Sequence, residues 1–357
     1  MSDPSATFDS KTSAAIYGCA GLRLSPGERD FFRQTQPYGF ILFKRNIESP
    51  DQIRQLIGEL RACVGRQDAP VLIDQEGGRV QRLGPPHWRV IPPARRFGEL
   101  FAYDKRSGEE AAECNARIIA AELMDLGINV DCLPVLDVPV AGAHDIIGDR
   151  AFTAEPNGIA QLGAAVCRGL RQGGVMPIIK HIPGHGRARS DSHLELPVVD
   201  AALADLRATD FEAFRLVCDR TKGSADCWAM TAHVVYTAID PRQPATTSSI
   251  VIEQFIRGEI GFNGPLISDD LSMKALSGGM SQRTERALQA GCDLVLHCNG
   301  EMAEMTEIAA VCPPLSERAL QRLNKATSGM VKAPLADLEL LHRRLDKLLP
   351  NEIAARS

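Results

Sequence analysis

One stretch of this 357-residue chain gathers groups able to move protons. Lys180-His181-Ile182-Pro183-Gly184-His185-Gly186-Arg187-Ala188-Arg189-Ser190-Asp191-Ser192-His193 holds three of the chain's eight histidines. Asp191 and His193 are two apart, so in extended backbone their side chains share one side and can hydrogen-bond. A carboxylate beside an imidazole fixes its tautomer and favours its protonated form, which suits a proton donor and acceptor at neutral pH. Long loops without structure of their own tend to be functional, and Gly184 and Gly186 are expected to act as its hinges. Three uses compete for the stretch. It is a solvated polar loop, or it serves acid/base and substrate-binding chemistry. In the third, His181, His185 and His193 with Asp191 or Asp269 ligate a metal such as zinc, although the spacing matches no standard motif such as HExxH.

Other chemistry-bearing residues stand where apolar runs stop: Asp74 before QEGGRVQRL, Lys180-His181, His233, Ser268-Asp269-Asp270, and His297-Cys298-Asn299. Buried strands that finish in charged side chains must aim them into a polar pocket, because an unpaired buried charge is too costly. Asp269 and Asp270 are neighbours, so on a regular strand they point to opposite faces and one of them does chemistry. The plainer reading has Asp270 capping the following helix and Asp269 buried against Arg or Lys.

The elements that position these groups repeat. Short β-branched-rich runs at 15–21, 39–43, 71–74, 129–134, 176–181, 228–233, 266–269 and 293–297 read as eight strands. Helical periodicity fills 51–64, 109–126, 156–172, 205–219, 249–259 and 282–290. Strand then helix, repeated, implies parallel strands joined by right-handed crossovers, and eight such units make a TIM-type (β/α)8 barrel. A doubly wound sheet is the rival, but Gly18, Gly21 and LRLSPGE supply no GxGxxG turn opening a helix. In a barrel, residues at the carboxyl ends of strands converge on one site. One catalytic domain is expected over 1–357, with its core at about 15–300 and extra C-terminal helices at about 313–349 packed on the barrel.

With 44% hydrophobic and 24% charged residues, the composition excludes disordered, collagenous and coiled-coil chains. Forty Lys+Arg against 45 Asp+Glu give a net charge of −5, so the cationic field that nucleic acid or an anionic membrane needs is missing. Ten scattered cysteines form no CxxC pair and read as reduced small hydrophobes. The start has no basic region followed by an apolar one, and no run is long enough to span a membrane, so a cytoplasmic location is expected. Only 5% of residues are aromatic, which argues for a small-molecule substrate rather than a long polysaccharide groove.

KHIPGHGRARSDSHLELP closely resembles the KH(F/I)PGHG…DSH signature of glycoside hydrolase family 3, in particular of its NagZ-type β-N-acetylhexosaminidases. LIDQEGGRVQRL, PVLDVPVAGAHDIIGDRAF and GPLISDDLSMKAL are similar to three further motifs of that family, in order. The resemblance implies a retaining hydrolase on a TIM barrel with no metal or organic cofactor. It makes Asp269 the nucleophile and His193 the general acid/base, oriented by Asp191. Asp74, Arg82, Arg150, Lys180 and His181 would form the sugar pocket; Arg79 matches too and is equally readable as structural. A histidine thereby replaces the second carboxyl of the usual retaining pair. The second α/β domain of larger members is not expected in this chain. The implied substrates are N-acetylglucosaminyl-1,6-anhydro-muropeptides of peptidoglycan recycling. Attack by the substrate's own acetamido group, a metal-dependent barrel hydrolase built on His181, His185 and His193, and a non-catalytic sugar-binding protein stay open as alternatives.

Overall fold

The computed structural model describes residues 11–188, 190, 192, 194–221, 226–330 and 337–350. Eight parallel strands close into a barrel in chain order: β1 (Ser13–Gly18), β2 (Pro37–Leu42), β3 (Val71–Ile73), β4 (Val130–Asp131), β5 (Met176–Ile182), β6 (Trp228–Thr231), β7 (Leu266–Asp270) and β8 (Leu294–His297). β8 returns to β1 with Tyr17 beside His297. All eight expected runs are strands of this barrel, and helices cover the outside, so the (β/α)8 reading holds.

Where the boundaries differ, a local cause is visible. β4 was expected over 129–134 but is regular only at Val130–Asp131. Pro134 has no N–H to donate, and pairing continues irregularly through Ile178 N to Leu133 O, Lys180 N to Pro134 O and Leu136 N to Lys180 O. The helix expected over 205–219 is two, Leu203–Ala208 and Asp210–Arg220. Thr209 leaves helical geometry between them, and its hydroxyl lies 2.7 Å from both the Asp205 carbonyl and the Asp210 carboxylate. Helices Pro26–Thr35, Ala94–Tyr103 and Met302–Val311 were not anticipated.

Two apolar layers hold the fold. The larger lies between strands and surrounding helices; the second fills the barrel with Ile16, Ile41, Leu72, Ile178, Trp228, Ile267 and Leu296 among others. The C-terminal helices are not equivalent, although both were expected as packing on the barrel. Leu338–Leu348 lies outside, its Leu341 and Leu345 in the outer layer and Arg344 paired with Glu110. Glu317–Ser328 instead plugs the amino-terminal end: Ala319, Leu323 and Ala326 join the barrel's interior layer. Arg322 bonds Asp293 (2.7 Å) at the start of β8, and Leu315 N and Pro313 O pair with Thr12 O and Ala14 N. With one end plugged, the other is left for a site.

Candidate active site

A cavity of about 390 Å³ opens at the carboxyl ends of the strands. Asp74, Arg82, Arg150, Lys180, His181 and Asp269, six of the eight residues expected to act, line it together. The other two, Asp191 and His193, lie outside the described residues. Glu76, Ser192, His185 and Phe43 also line the wall, and Ile41, Met230, Leu296 and Cys298, part of the barrel's interior layer, supply apolar lining.

The charged groups form one network. Lys180, 2% exposed at the end of β5, donates from Nζ to Asp74 Oδ1 (2.9 Å) and sits 2.6 Å from Glu76 Oε1. Arg82 donates to the other Asp74 oxygen at 2.9 Å. Arg150 grips Glu76 with two parallel bonds of 2.8 and 2.9 Å. Charges this buried must be paired, and here two carboxylates meet three cations. Burial pushes the Asp74 carboxyl up, but the Lys180 ammonium and the Arg82 guanidinium outweigh it and hold it well below the usual range. Glu76 is lowered likewise, its burial outweighed by Arg150 and Lys180. Burial alone would lower Lys180, yet Asp74 and Glu76 raise it. Each carboxylate oxygen keeps a second lone pair, so Asp74 can still accept from a hydroxyl.

Beneath this network Asp131 is fully buried, accepts from Gln75 N at 3.0 Å through Oδ1, and leaves Oδ2 without a partner. Burial raises its pKa well above the ordinary aspartate value. Through Gln75 it clamps the strand end that carries Asp74 and Glu76. On the other flank Phe43 has the guanidinium carbons of Arg45 and Arg82 each 5.1 Å from its ring centre. Arg79 also lines the cavity and pairs with Asp145 (3.1 Å) and Asp149 (3.3 Å), which fits both of its readings.

The histidines are fixed by hydrogen bonds. Asp137 accepts from His181 Nδ1 (2.7 Å) and from the backbone N–H groups of His181 (3.2 Å) and His185 (2.6 Å). Burial would raise Asp137, but His181 and His185 bring it down to about 2. His181 therefore keeps Nε2 for the cavity. His185 Nε2 lies 3.2 Å from Ser192 Oγ, and burial with His181 nearby lowers its pKa to about 4, so this ring is neutral at pH 7. Among the described residues, no group of three or more His, Cys, Asp or Glu is arranged to hold a metal ion. The expected hinges are packing positions instead. A Cβ on Gly186 would stand 2.0 Å from Val138 O, and Gly184 has φ +139° with a Cβ position 2.8 Å from Asp210 Cβ.

β7 ends irregularly: Ile267 pairs with Leu294 but Asp270 with Leu296, three residues against two. This bulge breaks the alternation expected for Asp269 and Asp270, and both reach the cavity. Asp270 is occupied, accepting from Ser272 N (3.0 Å), Ser272 Oγ (2.6 Å) and Cys298 N (3.1 Å). Asp269 Oδ1 accepts from Asp270 N at 2.8 Å. His233, buried at the end of β6, lies 3.0 Å from Asp270 O through Nε2 and 2.7 Å from Thr246 Oγ1 through Nδ1. A carbonyl only accepts, so Nε2 carries the proton. Burial lowers the His233 pKa, and the Thr246 hydroxyl beside Nδ1 also lies 2.7 Å from Thr231 Oγ1 and 3.1 Å from Ala232 O. The relay Thr231, Thr246, His233 holds the backbone of the Asp269-Asp270 turn.

The model of the glycosyl hydrolase family 3 N-terminal domain matches residues 21–328. The chain belongs to glycoside hydrolase family 3. It is 36% identical over 328 residues to the beta-hexosaminidase of Idiomarina loihiensis, covering 91% of this chain and 95% of that protein. It is 40% identical over 290 residues to that of Alkalilimnicola ehrlichii, covering 80% of each. NagZ from Neisseria gonorrhoeae superposes with a TM-score of 0.83 at 31% identity, over 95% of this chain and 98% of that one. That protein has also been crystallised with N-trifluoroacetyl-D-glucosamine and with zinc ion. This chain is thus a glycoside hydrolase of the beta-hexosaminidase kind, as the motifs implied. Glu76 and Asp137 were not singled out beforehand, yet both stand inside the quoted motifs, at the E of EGGR and the D of PVLDV.

Proposed function

We propose that this chain is a retaining exo-β-N-acetylglucosaminidase, acting as one cytoplasmic catalytic domain without metal or organic cofactor. Its substrates are small glycosides, N-acetylglucosaminyl-1,6-anhydro-muropeptides of peptidoglycan recycling. The observation that carries the reading is Asp269 in the wall of a cavity of about 390 Å³ whose inner end is closed by the barrel's apolar interior. A sugar chain can enter such a cavity by its end but cannot lie through it, which favours exo action.

In this reading Asp74, Arg82, Arg150, Lys180 and His181 bind the terminal sugar through its hydroxyl and acetamido groups. Asp269 attacks the anomeric carbon; a carbon–oxygen bond to its carboxylate forms as the glycosidic bond breaks, and His193 gives the leaving oxygen its proton. His193 then takes a proton from water, which displaces Asp269 and restores the carboxylate. Asp191 holds His193 in the tautomer that serves both steps. Asp270 and His233 keep the turn under Asp269 in place.

Peptide-level mass spectrometry after incubation with a fluorinated N-acetylglucosaminyl fluoride, alongside turnover of an aryl N-acetyl-β-glucosaminide, tests it. A single sugar adduct on Asp269, and neither adduct nor turnover in Asp269→Ala, is the expected result. Turnover with no adduct would instead favour attack by the acetamido group. Turnover lost to a chelator and restored by zinc would favour the metal-dependent alternative.

A further inference from the structure

We infer that a second recess beside the sugar cavity binds a carboxylate on the leaving half of the substrate. It measures about 70 Å³ and is lined by Arg242, Arg283 and Arg286 against an apolar wall that includes Leu196, Pro244 and Leu276. These residues come from the segments that follow β5, β6 and β7, so the recess opens on the same face of the barrel as the sugar cavity. A thin partition separates the two: Met273 lines the cavity, Ala275 and Leu276 line the recess, and Ala275 N donates to Ser192 O (3.2 Å).

The three guanidinium groups have no carboxylate partner among the described residues. Arg283 is held by the carbonyls of Leu271 (2.6 Å), Met273 (3.1 Å) and Gly278 (2.9 Å), and its Nη2 hydrogens remain for a ligand. Arg286 reaches only Ser277 Oγ, at 3.5 Å. Arg242 offers its whole guanidinium group. Asp270 and Glu304 act on Arg283 from beyond ion-pair distance, and the planar forks of Arg242 and Arg286 suit a carboxylate. The apolar wall suits an aliphatic side chain carrying it. This inference rests on the proposed substrate class: a sugar seated in the cavity sends its leaving group over the rim, and a peptide on that group ends in a carboxylate.

The test compares wild type with R242A/R286A on three substrates: an aryl N-acetyl-β-glucosaminide, a disaccharide carrying a short acidic peptide, and the same disaccharide with its peptide carboxyls amidated. Neither arginine belongs to the proposed catalytic machinery, so unchanged aryl turnover shows that the variant is folded. The expected result is a KM for the acidic substrate about tenfold higher in the variant, and no change for the amidated one. An unchanged KM for the acidic substrate, while wild type hydrolyses it, overturns the recess alone. Failure of wild type to hydrolyse either disaccharide overturns the substrate class and the recess with it. Inorganic phosphate distinguishes a free anion. If phosphate alters aryl turnover in wild type and the variant loses that response, the recess serves phosphate and the inference is wrong.

Discussion

Replacing Lys180 by methionine keeps the length of the side chain and removes the ammonium between Asp74 and Glu76. Glu76 would keep Arg150 and Asp74 would keep Arg82, but the two carboxylates would face each other in a site where Lys180 is 2% exposed. Breaking a buried charge pair by removing one partner costs about 3–5 kcal/mol. A domain of this kind has about 5–15 kcal/mol in all, so Lys180→Met should stay folded at pH 7 but with clearly lower stability. The cost should depend on pH. In wild type both carboxyls are lowered, so their contribution is present above the ordinary carboxylate range and is lost as pH falls through it. In the variant their pKa values rise, and proton uptake on acidification relieves the folded state. The gap in unfolding free energy, from urea titrations followed by tryptophan fluorescence, should be widest at pH 7 and shrink toward pH 4. A gap under about 1 kcal/mol at pH 7, or one constant from pH 7 to 4, would refute the network as the reason for burying Lys180. Adding Glu76→Gln should recover part of the loss, since it removes the repulsion.

Two further outcomes are expected. His193→Ala should slow glycosides with poor leaving groups far more than activated aryl glycosides, by at least the hundredfold typical of a general acid; equal losses measured as kcat/KM on both would remove His193 from that role. His185 has its pKa lowered to about 4, so between pH 6.5 and 4 the unfolded chain binds a proton that the folded one refuses, and stability falls with pH over that window. The drop from this ring is about 3 kcal/mol, and His185→Gln should remove it from the difference between denaturation curves at pH 7 and pH 4; an unaltered difference would show that the ring is not held neutral.

Much of this molecule could be read before any coordinates, and the limits have physical causes. Each barrel strand is a short apolar run buried on both sides, which is why all eight were visible while their ends were not. β4 is regular only to Asp131 and pairs irregularly on through Pro134, and the end of β7 bends where a bulge admits one extra residue, neither of which hydrophobic periodicity registers. Asp74, Lys180 and His181 stood out because they end apolar runs, whereas Arg82 and Arg150 came only from the resemblance to the family's motifs. Their partners Glu76 and Asp137 carried no such mark, since the bonds that define them join residues 74 and 44 positions apart. The proton on His233 Nε2 is set by the Asp270 carbonyl, 37 positions on, and no spacing rule links the two. The plug helix reads like any amphipathic surface helix; that it enters the barrel's end is decided by Arg322 meeting Asp293.

That plug sets a schedule. The strand nearest the amino end is clasped to residues 313–315, and Leu315, Ala319, Leu323 and Ala326 help to seal the interior. At ribosomal rates of about 5–20 residues per second, roughly 15–60 s pass between synthesis of the first strand and of the helix that seals it. For that time an apolar funnel stands open on a growing chain. A release of the chain shortly before residue 317 would leave all eight strands made and the catalytic end complete, yet expose the hydrophobic inside of the barrel to water from below. Such a product should be captured by chaperones or aggregate, so for this fold the integrity of the chemistry depends on a helix that never touches it.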